Sequence, residues 1–202
     1  MRHTRSFRWS VFAAAVVGAG LLAWPAAGAA QTVVGDAKAV QATTFGLIGG
    51  TTTVLADTGW LSGPSDVLDA SLITGDVPSL LSGEVLDAVT IGWPDQVVSQ
   101  ANLASLGLSV AGIPISADFV MATTTAPLGA AATGSSLIEN LSINGVPIDV
   151  TGEPNQTISI PGGQVVLNEQ TASPSGTTVN ALHAVVSGVA DVVVASATAG
   201  IQ

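Results

Sequence analysis

The sequence contains no cysteine and no tyrosine. Without cysteine there are no disulfide cross-links, thiolate nucleophiles or thiolate metal sites, and folding needs no oxidative machinery. Basic residues are nearly as scarce, with Arg2, Arg5, Arg8 and Lys38 as the only four. Beyond residue 30 there is no arginine. Lys38 stands alone there against fourteen carboxylates, a formal net charge of −13. Nucleic acid and anionic membrane surfaces are gripped through cationic contacts, so neither is an expected partner. A phosphate clamp lacks its arginines for the same reason. Aromatic residues beyond residue 30 are limited to Phe45, Trp60, Trp93 and Phe119, which is sparse for a sugar-binding cleft.

What is present begins with an export pattern. Arg2, Arg5 and Arg8 precede an apolar run from Val11 to Trp24, which Pro25 breaks. Ala27-Gly28-Ala29-Ala30 then supplies small residues for a peptidase. These are the three parts of a secretory signal peptide. The run is short for a spanning helix. The arginines are not adjacent, so the general secretory route is expected rather than the twin-arginine route. Residues 1–30 are therefore read as a signal peptide and 31–202 as one extracellular domain, free of the membrane after cleavage. The remaining 172 residues are enough for a single domain with its own core.

The most specific stretch is Ser136 to Gln170, which reads as two consecutive β-hairpins. In the first, Leu141 and Ile143 alternate with polar residues, Asn144-Gly145 follows, and Val146 and Ile148 alternate again. Asn-Gly between alternating runs signals a type I′ turn, whose two central residues both need positive φ. This register pairs Ile143 with Val146 and Leu141 with Ile148, all four facing the core. Pro147 falls opposite Ser142, where its missing N–H marks a local sheet edge. Glu139 falls opposite Val150, as a fraying end or bulge. The second hairpin runs from Thr157 to Ile160 and from Val165 to Glu169 through Pro161-Gly162-Gly163-Gln164. Its expected pairs are Ile160 with Val165 and Ile158 with Leu167, and Asn168-Glu169-Gln170 is expected to end the strand in solvent.

Elsewhere, Ala37 to Ala42 reads as the first strand and Thr51 to Asp57 as a second, through its β-branched residues. Val67-Leu68-Asp69-Ala70 is echoed by Val85-Leu86-Asp87-Ala88, two similar strands rather than a repeat array. Leu106 to Met121 reads as a hairpin turning at Ala111-Gly112, with Ile113, Ile115, Ala117, Phe119 and Met121 alternating along its second strand. Thr123 to Ser136 reads as a loop. Thr177 to Val186 and Asp191 to Ala199 form a last pair, and Val192-Val193-Val194 has the two-faced apolarity of a central strand. No segment is convincingly amphipathic as a helix; in Ser99 to Leu108 helical and strand periods compete. The prediction is all-β: a single antiparallel β-sandwich built from hairpins.

No side-chain set carries a catalytic signature. His183 is the only histidine beyond residue 30. It lies in phase with Val179, Ala181 and Val185, so a half-buried, hydrogen-bonded structural histidine is expected. No G-x-S-x-G or similar nucleophile motif accompanies it. One histidine without cysteine is a poor zinc site. Asp66, Asp69 and Asp76 have the oxygen chemistry calcium favours, but no D-x-D-x-D-G loop surrounds them, so they are read as solubilising surface acids. Trp60 and Trp93 share a Gly-Trp context and are read as core or rim residues, with a ligand platform as the lesser alternative. The expectation is no catalytic residue, no cofactor and no metal.

Several motifs do match a family. They are Asn144-Gly145-Val146-Pro147 followed by Gly152-Glu153-Pro154-Asn155-Gln156-Thr157, then Leu167-Asn168-Glu169-Gln170 and Val179-Asn180-Ala181-Leu182-His183, and finally Asp191 to Gly200. Together they resemble the bacterial choice-of-anchor P proteins. The resemblance implies an exported surface domain, attached in different members by different C-terminal sorting signals, and it brings no catalytic activity. The last residues here, Gly200-Ile201-Gln202, form no hydrophobic tail, basic end or sortase-type motif, a departure from the anchored pattern.

The expected function is that of a non-enzymatic secreted or cell-envelope-associated β-domain. Its role is structural or adhesive, through self-association or a cell-surface partner. The alternative is a secreted carboxylate-dependent hydrolase acting on polysaccharide, which requires two acids about 5–10 Å apart in a cleft. Export is directly testable. N-terminal sequencing of secreted protein should begin at Ala30 or Gln31, and an intact Met1 terminus would remove the signal-peptide reading.

Overall fold

The computed structural model describes residues 31–46 and 49–202; the expected signal peptide, residues 1–30, lies outside the described residues. Thirteen strands follow one another: β1 (Val33–Gly46), β2 (Gly49–Asp57), β3 (Val67–Val77), β4 (Leu81–Gly92), β5 (Gln96–Val110), β6 (Ile113–Pro127), β7 (Thr133–Glu139), β8 (Ser142–Ile143), β9 (Val146–Pro147), β10 (Gln156–Ile160), β11 (Gly163–Ser173), β12 (Gly176–Val186) and β13 (Ala190–Ile201). They form two antiparallel sheets. One has the order β10-β11-β12-β13-β1-β2. The other runs β3-β4-β5-β6-β8-β9, with β7 also paired to β6. The fold is an all-β sandwich. Its first strand is locked between the last strand and β2, with Val33 opposite Ile201 and Val40 opposite Val194.

Strict two-residue alternation does not survive along the long strands. In β12, Val179 and Ala181 face the core, and then Leu182, Ala184 and Val186 do. β13 changes phase between Val194 and Ala195, β1 between Ala39 and Val40, and β6 between Ala117 and Val120. In β5 the change falls between Leu103 and Leu106. The changes line up across each sheet. Ala56, Ala39, Ala195, Ala181 and Asn168 form one transverse row, in which Ala56 (φ 48°), Ala195 (φ 53°) and Asn168 (φ 49°) are left-handed. Val85 (φ 48°), Ser105 (φ 52°) and Asn140 (φ 53°) occupy the equivalent line of the second sheet. The pairing ladders skip these positions, and β4 against β5 shifts register around Glu84. Each sheet thus carries a crease at which paired strands exchange their inward and outward faces together; the register is kept across it in every pair that crosses it except β4–β5.

The crease corrects several expectations. Phe119 and Met121 are not core residues, because Val120 and Ala122 take the inward face beyond it. His183 is out of phase with Val179 and Ala181, since Leu182 and Ala184 carry the inward face on its side. Ser99 to Leu108 is strand, the middle of β5. Thr123 to Ser136 is mostly strand as well: β6 continues to Pro127 and β7 starts at Thr133. Threonine suits a pleated surface on either face, and Thr124 is buried within it.

The first hairpin has its expected register, Ile143 opposite Val146 and Ser142 opposite Pro147. Asn144 (φ 52°) and Gly145 (φ 73°) are both left-handed, and β9 is a sheet edge. Leu141 and Ile143 are buried, whereas Val146, on the outermost strand β9, is 59% exposed. Glu139 does not pair with Val150. It ends β7 opposite Phe119, exposed, and Asn140 turns the chain away. The second hairpin is tighter than expected. Its turn is Pro161-Gly162 alone, so Ile160 pairs with Gly163 and Ile158 with Val165. The shift is two residues, which leaves the buried face unchanged. Gly163 is the first residue of β11, and only glycine fits there, since an added Cβ would lie 1.8 Å from the Val185 carbonyl oxygen. Finally, Asn168-Glu169-Gln170 does not end a strand, as β11 continues to Ser173 and Asn168 is buried.

Left-handed φ gives two substitutions of opposite sign. Gly145→Val should destabilise by about 1–2 kcal/mol or more, because a β-branched residue is badly placed there. Val85 is already such a residue and is 61% exposed, so Val85→Asn should raise stability by about 1 kcal/mol. Denaturant melts that order Val85→Asn above wild type and Gly145→Val below it are the expected result.

Candidate functional site

The one lysine and one histidine beyond residue 30 both lie on the outer face of the β1-containing sheet. Register places Lys38 of β1 in a row with Ser196, Asn180 and Glu169. His183 stands three positions further along β12, between Val193 of β13 and Val166 of β11. Each is held by two carboxylates. Lys38 Nζ contacts Asp36 and lies 3.5 Å from Asp57. His183 Nδ1 is 2.9 Å from Glu169 Oε2, and its Nε2 is 2.9 Å from Asp191 Oδ1. Asn180 Nδ2 donates to the same Glu169 oxygen at 2.7 Å. The ring therefore staples β11, β12 and β13 together.

Only the imidazolium can donate from both nitrogens. Burial pushes the His183 pKa down, but the hydrogen bonds and charges of Glu169 and Asp191 more than offset it, raising it above the ordinary 6.5. At Asp36 burial prevails instead. Burial drives its pKa above 3.8, and Lys38 beside it does not restore it. Its Oδ1 is buried without a hydrogen-bond partner. Trp60 is 63% exposed and its ring lies 5.7 Å from Lys38 Nζ, a cation–π contact.

The outer face of the second sheet has a different chemistry. At its crease Ile73 and Val85 drop out of the β3–β4 ladder. Ile73 is 86% exposed and Leu72 39%. With Val85, Ser71, Asp87 and Asn102 they line a shallow hollow of about 380 Å³. Asn102 Nδ2 donates to Asp87 Oδ2 at 3.5 Å.

The residues singled out in the sequence are mostly kept apart. Asp66 sits in the turn before β3, accepting from the Ser62 amide (2.9 Å) and hydroxyl (2.8 Å), and from the Val67 amide (3.0 Å). The Ser62 amide bond, with the others, holds its carboxyl below the usual 3.8. Asp69 and Asp76 lie seven positions apart on β3. Among the described residues no three acidic or histidine side chains converge as cation ligands would. Trp93 occupies the β4–β5 turn, its backbone N–H donating to the Gln96 carbonyl at 2.7 Å. The Trp60 loop is tied to that same end by Ser65 N–H to Gly92 O (3.0 Å) and Gly92 N–H to Asp66 O (2.9 Å). His183 is half-buried and hydrogen-bonded, as expected. The carboxylates that hold it were not foreseen; they lie fourteen and eight residues away on neighbouring strands. Ile73 was likewise missed, although Leu72-Ile73 is an apolar pair that breaks the alternation of β3.

No family model, curated protein or solved structure matches this chain.

The His183 staple has a defined pH signature. A pKa raised in the folded state stabilises fully below the unfolded value near 6.5, and the gain is lost as pH rises through the folded value. His183→Gln should therefore lower the melting temperature most near pH 6 and least near pH 9, relative to wild type at each pH. Equal losses at both would show that the ring acts through packing alone.

Proposed function

We propose that this chain is a non-enzymatic secreted or cell-envelope-associated β-domain with a structural or adhesive role, as its resemblance to choice-of-anchor P proteins suggests. The observation that carries this reading is the contrast between a closed interior and unguarded edges. The space between the sheets is filled by aliphatic side chains such as Leu86, Leu103, Leu167 and Leu182. Edge strand β2 bears no charge from Gly49 to Ala56, and edge strand β3 exposes Ile73. Sheet edges without lysine or proline accept an added strand. The paired acids point the same way. Asp36 with Asp57, and Glu169 with Asp191, each enclose a cationic group of this chain, which leaves neither pair free to flank a sugar.

Two measurements on protein spanning 31–202 test the proposal. Antibody against it should label intact producing cells or the culture medium. The purified domain should release no reducing ends from a panel of polysaccharides. Release that disappears in Asp36→Asn or Glu169→Gln would instead establish the hydrolase.

A further inference from the structure

The crease of the second sheet leaves an apolar surface that no element of the fold covers. Ile73, Leu72 and Val85 are exposed there around the hollow of about 380 Å³. Exposed aliphatic clusters of this kind mark interaction sites. Two further observations distinguish it from an ordinary surface. Val85 holds a left-handed φ of 48°, a conformation that costs a β-branched residue about 1–3 kcal/mol and concentrates at functional positions. In addition, β3 is the outermost strand of its sheet, hydrogen-bonded to β4 alone.

The charge around the hollow states what it accepts. Register puts Asp87 opposite Ser71, Glu84 opposite Thr74 and Asp76 opposite Ser82, and Asp69 lies two positions before Ser71. No lysine or arginine follows Lys38 in the sequence, so no cation of this sheet balances these four acids. A second copy would bring acids against acids, which is repulsive at short range.

We infer that the outer face of β3 and β4 at the crease binds an extended, basic and apolar segment of a partner protein. An apolar side chain of that segment seats between Ile73 and Val85, and its lysines or arginines pair with Glu84, Asp87, Asp69 and Asp76. This rests on the adhesive reading above and supplies its partner chemistry.

The test uses protein 31–202 with labelled isoleucine and valine methyls, titrated with the peptide Lys-Val-Lys-Ile-Lys-Val-Lys at low salt. Saturable shifts of the Ile73 and Val85 methyls are expected, with affinity falling as salt rises. Ile73→Ser, which removes a side chain lying outside the core, should weaken binding about tenfold. Glu-Val-Glu-Ile-Glu-Val-Glu should not bind, and Lys-Gly-Lys-Gly-Lys-Gly-Lys should bind far more weakly. The inference is overturned if Ile73→Ser has no effect, if the glycine peptide binds equally, or if no Ile73 shift appears. It is also overturned if sedimentation shows self-association that Ile73→Ser abolishes, since the occupant is then a second copy. Should labelled protein decorate cells while the peptide fails, the adhesive role stands and this surface falls.

Discussion

The structure depends on one geometric constraint: every long strand must change its inward face at the same transverse line. A strand of regular pleat keeps one face to the core, so either Val179 and Ala181 or Leu182, Ala184 and Val186 would have been turned to solvent. The crease buries both sets. It does so through left-handed residues on alternate strands of one sheet, at Ala56, Ala195 and Asn168, and through Val85, Ser105 and Asn140 in the other. The four that are not asparagine each cost about 1–2 kcal/mol, together a large share of the net stability of an ordinary domain. Only the core can offset that. Fully burying one leucine or valine is worth about 1.5–3 kcal/mol, and Leu86, Leu103, Leu167, Leu182, Val179 and Val192 are all fully buried near or beside the line.

The same crease separates the chemistry of the two outer faces. On one, Asn168 turns β11 so that Glu169 points outward beside Asn180 and within reach of His183. A phase kept from Leu167 would have aimed Glu169 into the core. On the other, the unpaired Ile73–Val85 step interrupts the β3–β4 ladder, whose register is the same on both sides of it, and leaves Ile73 exposed. A strained row in the backbone therefore sets both the cation staple and the apolar hollow.

Charge is distributed by the same economy of cations. Lys38 and His183 sit on one face, each enclosed by two acids, and the remaining acids line loops, edges and the opposite face. Ten carboxylates thus have no ion-pair partner among the described residues. Their mutual repulsion opposes compaction and is screened by salt. It also favours neutral or basic partners over a second copy wherever acids cluster.

By itself the sequence determined the class of fold, the strand-rich layout, the Asn144-Gly145 turn with its register, and the edge at Pro147. Those features are local: turn chemistry and short-range alternation act over a few residues. The positions of strands β5 and β6 beyond the crease, the Pro161-Gly162 turn, the company of His183 and the exposure of Ile73 were decided by tertiary structure alone. Single-strand periodicity carries no mark of where all strands must change face together, because the change is required only by neighbours in the same sheet and by the layer opposite. Carboxylates eight and fourteen residues from His183 meet it for the same reason: strand order brings them together, and strand order is a property of the packed sheets.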